Sequence, residues 1–166
     1  MTVKPANYSY RRTKGTSLTG GKGMGYVHAD IQLTNEEDLA FHRRGWAADN
    51  EVRRITTTAL VDTGAYDLII NKEAQKQLQL TVLGKRLVKL ADETIVELDV
   101  VGPVEVRFED RATTVRALLS PEAEEVLLGA IPLEGLDVIV DPLRERLVVN
   151  PPENTNAKIK QVSLSI

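Results

Sequence analysis

The chain has 166 residues, a formal net charge of −3, 42% apolar residues, 4% aromatic residues and no cysteine. This length suits one domain with tails, and the scarcity of aromatic side chains predicts a core built mainly from Leu, Val and Ile. The absence of cysteine excludes disulfides, thiolate metal sites and a cysteine nucleophile. The two histidines, His28 and His42, are too few for most histidine-based metal sites, and no apolar run is long enough to span a membrane.

The basic residues are concentrated at the N-terminus. Residues 1–25 are rich in Gly, Ser, Thr and Lys and carry no acidic side chain, so we expect a flexible basic tail there. The rest of the chain is acidic, which argues against nucleic-acid binding. We expect one folded domain over residues 26–151 and a C-terminal tail over 152–166. The sequence begins with no apolar stretch of the signal-peptide type, so a cytoplasmic location and no membrane partner are the default expectations.

Strand signals begin at the start of the expected domain. "YVHADIQL" (26–33) alternates apolar and polar residues, which predicts a half-buried strand. The next segment, 35–54, is charged and polar and is interpreted as a long connection with a possible helical turn. "ITTTALVD" (55–62) predicts a second strand, which ends at Asp62. Residues 71–80 have the composition of a short helix with Asn71 as its N-cap.

Short strands separated by turns fill the remainder of the expected domain. Closely spaced strands with tight turns favour antiparallel hairpins, so the residues alone predict a mostly antiparallel all-β barrel or sandwich with one clear helix. The predicted strands and turns are 86–91, 94–101, a turn at Gly102–Pro103, 104–109, 113–119, a buried strand at 125–129, a helical turn at 132–136, a hairpin over 137–151 and a further strand at 161–166.

An acidic residue closes the apolar run "ALVDTGAYDLII" (59–70) and is followed by Thr63 and Gly64. A turn alone would account for this pattern, because Asp accepts from nearby backbone N–H groups and Gly adopts positive φ readily. A phosphoryl-transfer aspartate is a weaker alternative, since the usual pattern has a second aspartate where Gly64 stands. The tripeptide by itself therefore leaves the role of Asp62 open.

The order of motifs around Asp62 narrows the choice. A strand, Asp-Thr-Gly-Ala, β-hairpins, the segment "LLG" (127–129) and a short helix follow one another over residues 26–150. This order resembles the retropepsin-like aspartic proteases, the single-lobe relatives of pepsin. The resemblance implies a closed antiparallel β-barrel of the acid-protease type and a homodimer with its active site on the two-fold axis. It also implies hydrolysis of a polypeptide substrate by activated water, without a cofactor or metal.

The resemblance assigns roles to the four residues of the motif. Asp62 would be catalytic, beside Asp62 of a second copy, because one aspartate per chain cannot form a pair. Gly64 would offer its N–H to a carboxylate, and Thr63 would bond across the dimer axis. Ala65 would help to support the active-site loop. The "LLG" segment would pack beneath this loop, although it could equally be plain core.

Substrate contacts would come from the loop and from a hairpin at 88–98, in the place where the family has its flap. The candidate substrate-binding residues are Tyr66, Asp67, Leu90, Ala91, Asp92 and Glu93. The tip of this hairpin contains no glycine and two acidic residues, so it could also be a plain solvated turn. As a flap, it should be stiff and should favour substrates with basic or polar groups.

Two positions depart from the family pattern. Many retroviral members have an Asp–Arg ion pair where this chain has Tyr66 and Ala130. Both partners are absent together, so no buried charge is left unpaired. We hypothesise that residues 157–166, in which Val162, Leu164 and Ile166 alternate, add strands across the dimer interface instead. The departures also motivate the alternative that this is a non-catalytic peptide- or protein-binding module, and an unrelated β-barrel binding domain is a third reading.

Overall fold

The computed structural model describes residues 6–7 and 25–151, and the chain there is mainly β. The ten strands are β1 Ala6–Asn7, β2 Val27–Asn35, β3 Arg54–Val61, β4 Leu68–Ile70, β5 Thr81–Lys89, β6 Ile95–Phe108, β7 Arg111–Leu119, β8 Val126–Leu128, β9 Val138–Asp141 and β10 Arg146–Val149. The helices are α1 Glu36–Arg43, α2 Lys72–Leu78 and α3 Ala130–Leu136, with a 3-10 turn at Asp49–Glu51. The expectation of one short helix is therefore wrong.

Six strands close on themselves to form a barrel. Their order is β6, β2, β3, β8, β4 and β7, and β7 pairs back with β6. The predicted closed barrel is confirmed, but the expectation that it is antiparallel is wrong, because β3 pairs with β8 and β4 pairs with β7 in parallel. Tight turns reveal only the pairing of strands adjacent in the chain. Strand β8 arrives from far along the chain and lies between β3 and β4, antiparallel to β4.

The predicted turn at Gly102–Pro103 is also wrong. Strand β6 runs through these residues without a break, and both of its halves pair with β7. The register shifts between Val101 and Val104. Proline has no N–H to donate to a ladder, so the interruption takes the form of an irregularity within one strand.

Asparagine caps begin two of the helices. The Asn35 side chain accepts from the N–H groups of Glu37 and Asp38 at 3.0 and 3.2 Å, and acidic residues fill the first turn of α1. With this cap, a helix of eight residues forms at the start of the segment 35–54, for which a connection with a possible helical turn was predicted. The predicted cap of α2 is confirmed, since Asn71 accepts from the N–H of Ala74 at 3.0 Å.

Two apolar clusters hold the domain together. The larger one fills the barrel, and each of its fully buried Leu and Ile side chains contributes about 1.5–3 kcal/mol to the free energy of unfolding. The smaller one lies at one side of the barrel and consists of Ala65, Ile69, Val88, Leu98, Val100, Leu118, Ala123 and Leu127. This cluster packs the segment after Asp62 against strands β5 and β6, and so fixes the position of the two strands relative to the candidate site.

The predicted hairpin over 137–151 is confirmed as β9 and β10, which form a separate two-stranded sheet. The C-terminal strand predicted at 161–166 and the basic tail, apart from β1, lie outside the described residues. The boundaries at 25 and 151 therefore stay predictions. Within the described segments, no helix is long and apolar enough to cross a membrane.

Candidate active site

Asp62 lies directly after β3 at the edge of the barrel. Its backbone N–H donates to the carbonyl oxygen of Leu128 at 3.0 Å, so the parallel pairing of β3 with β8 fixes the point at which the chain leaves the sheet. Its Oδ1 accepts from the N–H of Gly64 at 2.8 Å. The residue is half-buried, so the carboxylate is oriented by the loop and still reaches solvent. The turn chemistry and a catalytic role are thus compatible with one another.

A close backbone contact with the start of α3 fixes the loop after Asp62. Ala130 and Ile131 donate their N–H groups to the carbonyl oxygens of Ala65 and Tyr66, each at 2.8 Å. A Cβ atom on Gly129 would lie 2.4 Å from the carbonyl oxygen of Asp67, closer than any real contact. Only glycine therefore fits at position 129, and the "LLG" segment packs against this loop and supports it.

Thr63 lies exposed at the tip of the loop and lines a surface pocket of about 520 Å³. The other walls come from α3, from β9 and from the residue between them, namely Ala130, Leu133, Glu134, Asp137, Val138 and Val140. The loop, α3 and the β9–β10 hairpin therefore form one continuous surface next to Asp62.

The next three residues of the loop have different environments. Ala65 is 4% exposed and belongs to the smaller apolar cluster, so it anchors the loop. Tyr66 is 53% exposed and remains accessible to a ligand. Asp67 is only 8% exposed, and its Oδ2 accepts from Nη1 of Arg86 on β5 at 2.9 Å. Burial raises the pKa of the Asp67 carboxyl, and the charge of Arg86 offsets only part of that effect.

The candidate flap is a hairpin between β5 and β6 with an ordered turn. Leu90 and Thr94 close it through a backbone hydrogen bond of 2.8 Å, and Glu93 has a φ of 68°. Glycine usually occupies this left-handed position in a hairpin turn. The turn here has the usual backbone conformation without a glycine, so the backbone of Glu93 is strained. Asp92 accepts from Thr94, which lowers the pKa of the Asp92 carboxyl.

The fold brings the base of this hairpin to the Asp62 loop. Val88 and Leu98 belong to the same apolar cluster as Ala65, and Leu90 and Val96 pack against it. Ala91, Asp92 and Glu93 are exposed at the tip. Substrate contact by the loop and hairpin residues stays a prediction.

One contributor to the candidate site, Arg86, was not found by reading the sequence. Arg86 lies two positions before Val88 and so on the same face of β5, and a charged residue on this otherwise apolar face was the available signal. The family resemblance placed the "LLG" segment beneath the loop, but the close contact of Gly129 with the loop backbone has no local signal, because it joins segments more than sixty residues apart.

Comparison with known proteins gives a family match and a structural similarity. Residues 49–130 match the family model described as aspartyl protease. Among solved structures, the chain is similar to the retroviral protease-like domain of Ddi1 from Leishmania major, with 13% identity and a TM-score of 0.45 over 75% of this chain and 90% of that one. No match was found among curated proteins.

The matched residues contain the Asp-Thr-Gly-Ala loop, the candidate flap and the "LLG" support, all built on the closed barrel. The match to the aspartyl protease family model agrees with the resemblance to the retropepsin-like aspartic proteases that the motifs of this chain indicate.

Proposed function

We propose that this protein is a homodimeric aspartic endopeptidase in which Asp62 and Asp62 of a second copy activate a water molecule. The observation that carries this proposal is the half-buried carboxylate of Asp62, held by the N–H of Gly64 at 2.8 Å on a loop braced by β8 and α3. A catalytic group must be fixed in this way, because a misplacement of about 1 Å can cost about 100-fold in rate.

The chemistry follows from bringing two such carboxylates together. At a separation of about 3 Å and an effective dielectric of about 20, two negative charges repel by about 5 kcal/mol. The pair therefore holds one proton between its two members. The ionised carboxylate takes a proton from water, which attacks the peptide carbonyl, while the protonated carboxyl hydrogen-bonds the carbonyl oxygen and later helps to protonate the leaving amine.

The surface beside Thr63 supports the two-fold arrangement. A dyad requires the Asp62 loops of both copies to approach one another, so the residues next to Asp62 must also face the second copy. The pocket that Thr63 shares with α3 and β9 and the exposed side chains of Ile131 and Ile139 offer a partly apolar surface for this contact. Residues 157–166, the earlier candidate for the interface, lie outside the described part of the chain.

A polypeptide in extended conformation is the proposed substrate. The candidate flap lies over the smaller apolar cluster, and Leu90 and Val96 pack against that cluster at its rim. Apolar side chains of the substrate would meet these residues, while Asp92 and Glu93 at the tip would favour basic or polar groups further along the peptide. A cytoplasmic location stays a prediction.

The test is cleavage of a peptide library between pH 4 and 7 by the wild type and by Asp62→Asn. Asp110→Asn, a substitution in the exposed turn after β6, is the matched control and should keep full activity. Mixing the wild type with an equal amount of Asp62→Asn at constant total protein concentration tests the dimer, because only about one quarter of randomly formed dimers contain two intact aspartates and the activity should fall to about one quarter. Activity that survives Asp62→Asn, or that falls only to one half on mixing, would refute the mechanism.

A non-catalytic peptide-binding module is the second candidate. The observation in its favour is the flap turn, where Glu93 takes the left-handed position and the tip carries two acidic residues. This candidate predicts that a confirmed dimer binds peptides or a pepstatin-type inhibitor without cleaving any library member. Cleavage that depends on Asp62 would exclude it.

A further inference from the structure

One ion pair joins the Asp62 loop to the strand that enters the candidate flap. Asp67, five residues after Asp62, accepts from Arg86 at 2.9 Å, and the side chain of Asp67 is 11% exposed against 40% for Arg86. Arg86 lies on β5 opposite Leu98 of β6, so it is part of the base of the hairpin. The pair is thus a side-chain link between the loop that follows barrel strand β3 and strand β5, which joins the barrel through its pairing with β6.

The direction of the Arg86 side chain follows from the alternation of β5. Arg86 and Val88 share the face of β5 that turns toward the smaller apolar cluster, and Leu90, which packs against this cluster, follows the strand and begins the flap turn. The charged link therefore lies on the same face as the apolar contacts that seat the hairpin on Ala65. A shift of the hairpin relative to the loop must either move the ion pair with it or break it.

Breaking the pair is unfavourable because Asp67 is buried. A carboxylate removed from water needs a counter-charge or a proton, and a directed hydrogen bond to a guanidinium satisfies it only in a narrow range of geometry. Burial already raises the pKa of Asp67 with Arg86 in place. An apolar contact tolerates sliding, whereas this contact selects one register of the hairpin over the loop.

We propose that Asp67 and Arg86 are positioning residues that hold the candidate flap in one register over the Asp62 loop and thereby set how tightly a peptide is bound. The mechanical link between the two segments stands on the geometry alone, whereas its effect on peptide binding rests on the proposed function. The pair lies within one chain, so the link is present before dimerisation.

Hydrogen exchange of the flap amides is the direct test. The N–H groups of Leu90 and Glu93 are bonded within the turn, so their exchange reports its opening. Arg86→Met should raise their exchange rates by about tenfold, because the loss of one charged hydrogen bond frees the hairpin. The double variant Asp67→Asn/Arg86→Met removes both charges of the pair and keeps the experiment valid where the single variant folds poorly.

The pair Asp38–Arg53 provides a matched control. It joins α1 to the segment before β3, its shortest N–O distance is 2.7 Å, and its side chains are 13% and 39% exposed. Arg53→Met should reduce global stability by a comparable amount and leave exchange at Leu90 and Glu93 unchanged after correction for that loss. Equal flap exchange in Arg86→Met and Arg53→Met would overturn the proposal, because the pair would then be purely structural.

Steady-state kinetics extend the test to peptide binding. Arg86→Met should raise KM by about fivefold to tenfold with kcat within about twofold, and Arg86→Lys should recover part of the loss. A fall in kcat with unchanged KM would contradict the proposed role in binding. A wild type without any peptidase activity would refute the proposed function instead, while the exchange experiment would still decide whether the ion pair positions the hairpin.

Discussion

Substitution of Gly129 by alanine tests whether the packing beneath the Asp62 loop leaves no room for a side chain at this position. The added Cβ would lie 2.4 Å from the carbonyl oxygen of Asp67, 2.8 Å from the carbonyl carbon of Tyr66 and 2.9 Å from the carbonyl oxygen of Ala65. All three atoms belong to the backbone, so no side-chain rotation relieves the contact. The loop and the start of α3 must move apart.

The size of the effect follows from these distances. Ordinary contacts of carbon begin near ~3.5 Å, so a displacement of about 1 Å is needed. The two hydrogen bonds of 2.8 Å from Ala130 and Ile131 cross the same boundary and would stretch beyond useful length. Overpacking costs about 1–3 kcal/mol and each lost bond about 0.5–1.5 kcal/mol, and because these effects overlap we expect a loss of about 2–4 kcal/mol.

Urea and thermal unfolding followed by far-UV circular dichroism measure this loss. We expect Tm to fall by roughly 5–15 °C, at about 2–4 °C per kcal/mol for a chain of this size. Gly84→Ala on β5 is the control, because its Cβ would meet no atom within 4 Å. Equal stability of Gly129→Ala and Gly84→Ala would refute the reasoning. Under the proposed function, Gly129→Ala should also lower kcat/KM by about 100-fold, since it displaces Asp62.

Three further predictions concern the loop and the candidate flap. Arg86→Met should destabilise the fold by about 1–3 kcal/mol at neutral pH, less than a fully buried pair because Arg86 is partly exposed. Removal of Arg86 raises the pKa of Asp67 further above its unfolded value, so the loss of stability should shrink as pH falls and Asp67 is protonated. A loss of stability that is independent of pH between 4 and 7 would contradict this. Glu93→Gly should raise the free energy of unfolding by about 1 kcal/mol through relief of its left-handed strain, whereas Glu93→Ala should not, and equal urea midpoints for the two would exclude strain as the cause. Because hydrogen bonds from Thr94 lower the pKa of Asp92, the turn keeps these bonds until pH falls through that lowered value. The amide resonance of Thr94 should therefore titrate below the usual range of an aspartate in the wild type and stay fixed in Asp92→Asn.

Much of the local structure could be predicted from short stretches of sequence. Asn71 caps α2 as its composition indicated, and the hairpin over 137–151 formed where two apolar runs flank Asp141–Pro142. These features depend on neighbours within a few residues, and their energies act locally. The helix α1 could have been found in the same way, since Asn35 is followed by three acidic residues, but its exposed aromatic and charged residues suggested a loop.

The pairing of distant strands could not be predicted in this way. A short apolar strand such as β8 gives no indication of whether it joins an edge or enters between two others. Its position between β3 and β4 makes the barrel mixed and places Gly129 against the loop. Similarly, Gly102–Pro103 resembled a turn, and only the continuous pairing of β6 with β7 showed that it lies within a strand.

The sequence by itself determined where the acidic residue of the site lies, because Asp62, Thr63 and Gly64 follow an apolar strand and form a turn through local hydrogen bonds. It also indicated the family through the order of its motifs. The family resemblance also placed the "LLG" segment beneath this turn, whereas only the tertiary structure showed the close backbone contact of Gly129 and the ion pair of Arg86. Gly129 and Arg86 reach the loop from segments distant in the chain, and such contacts form only when closure of the barrel brings those segments together.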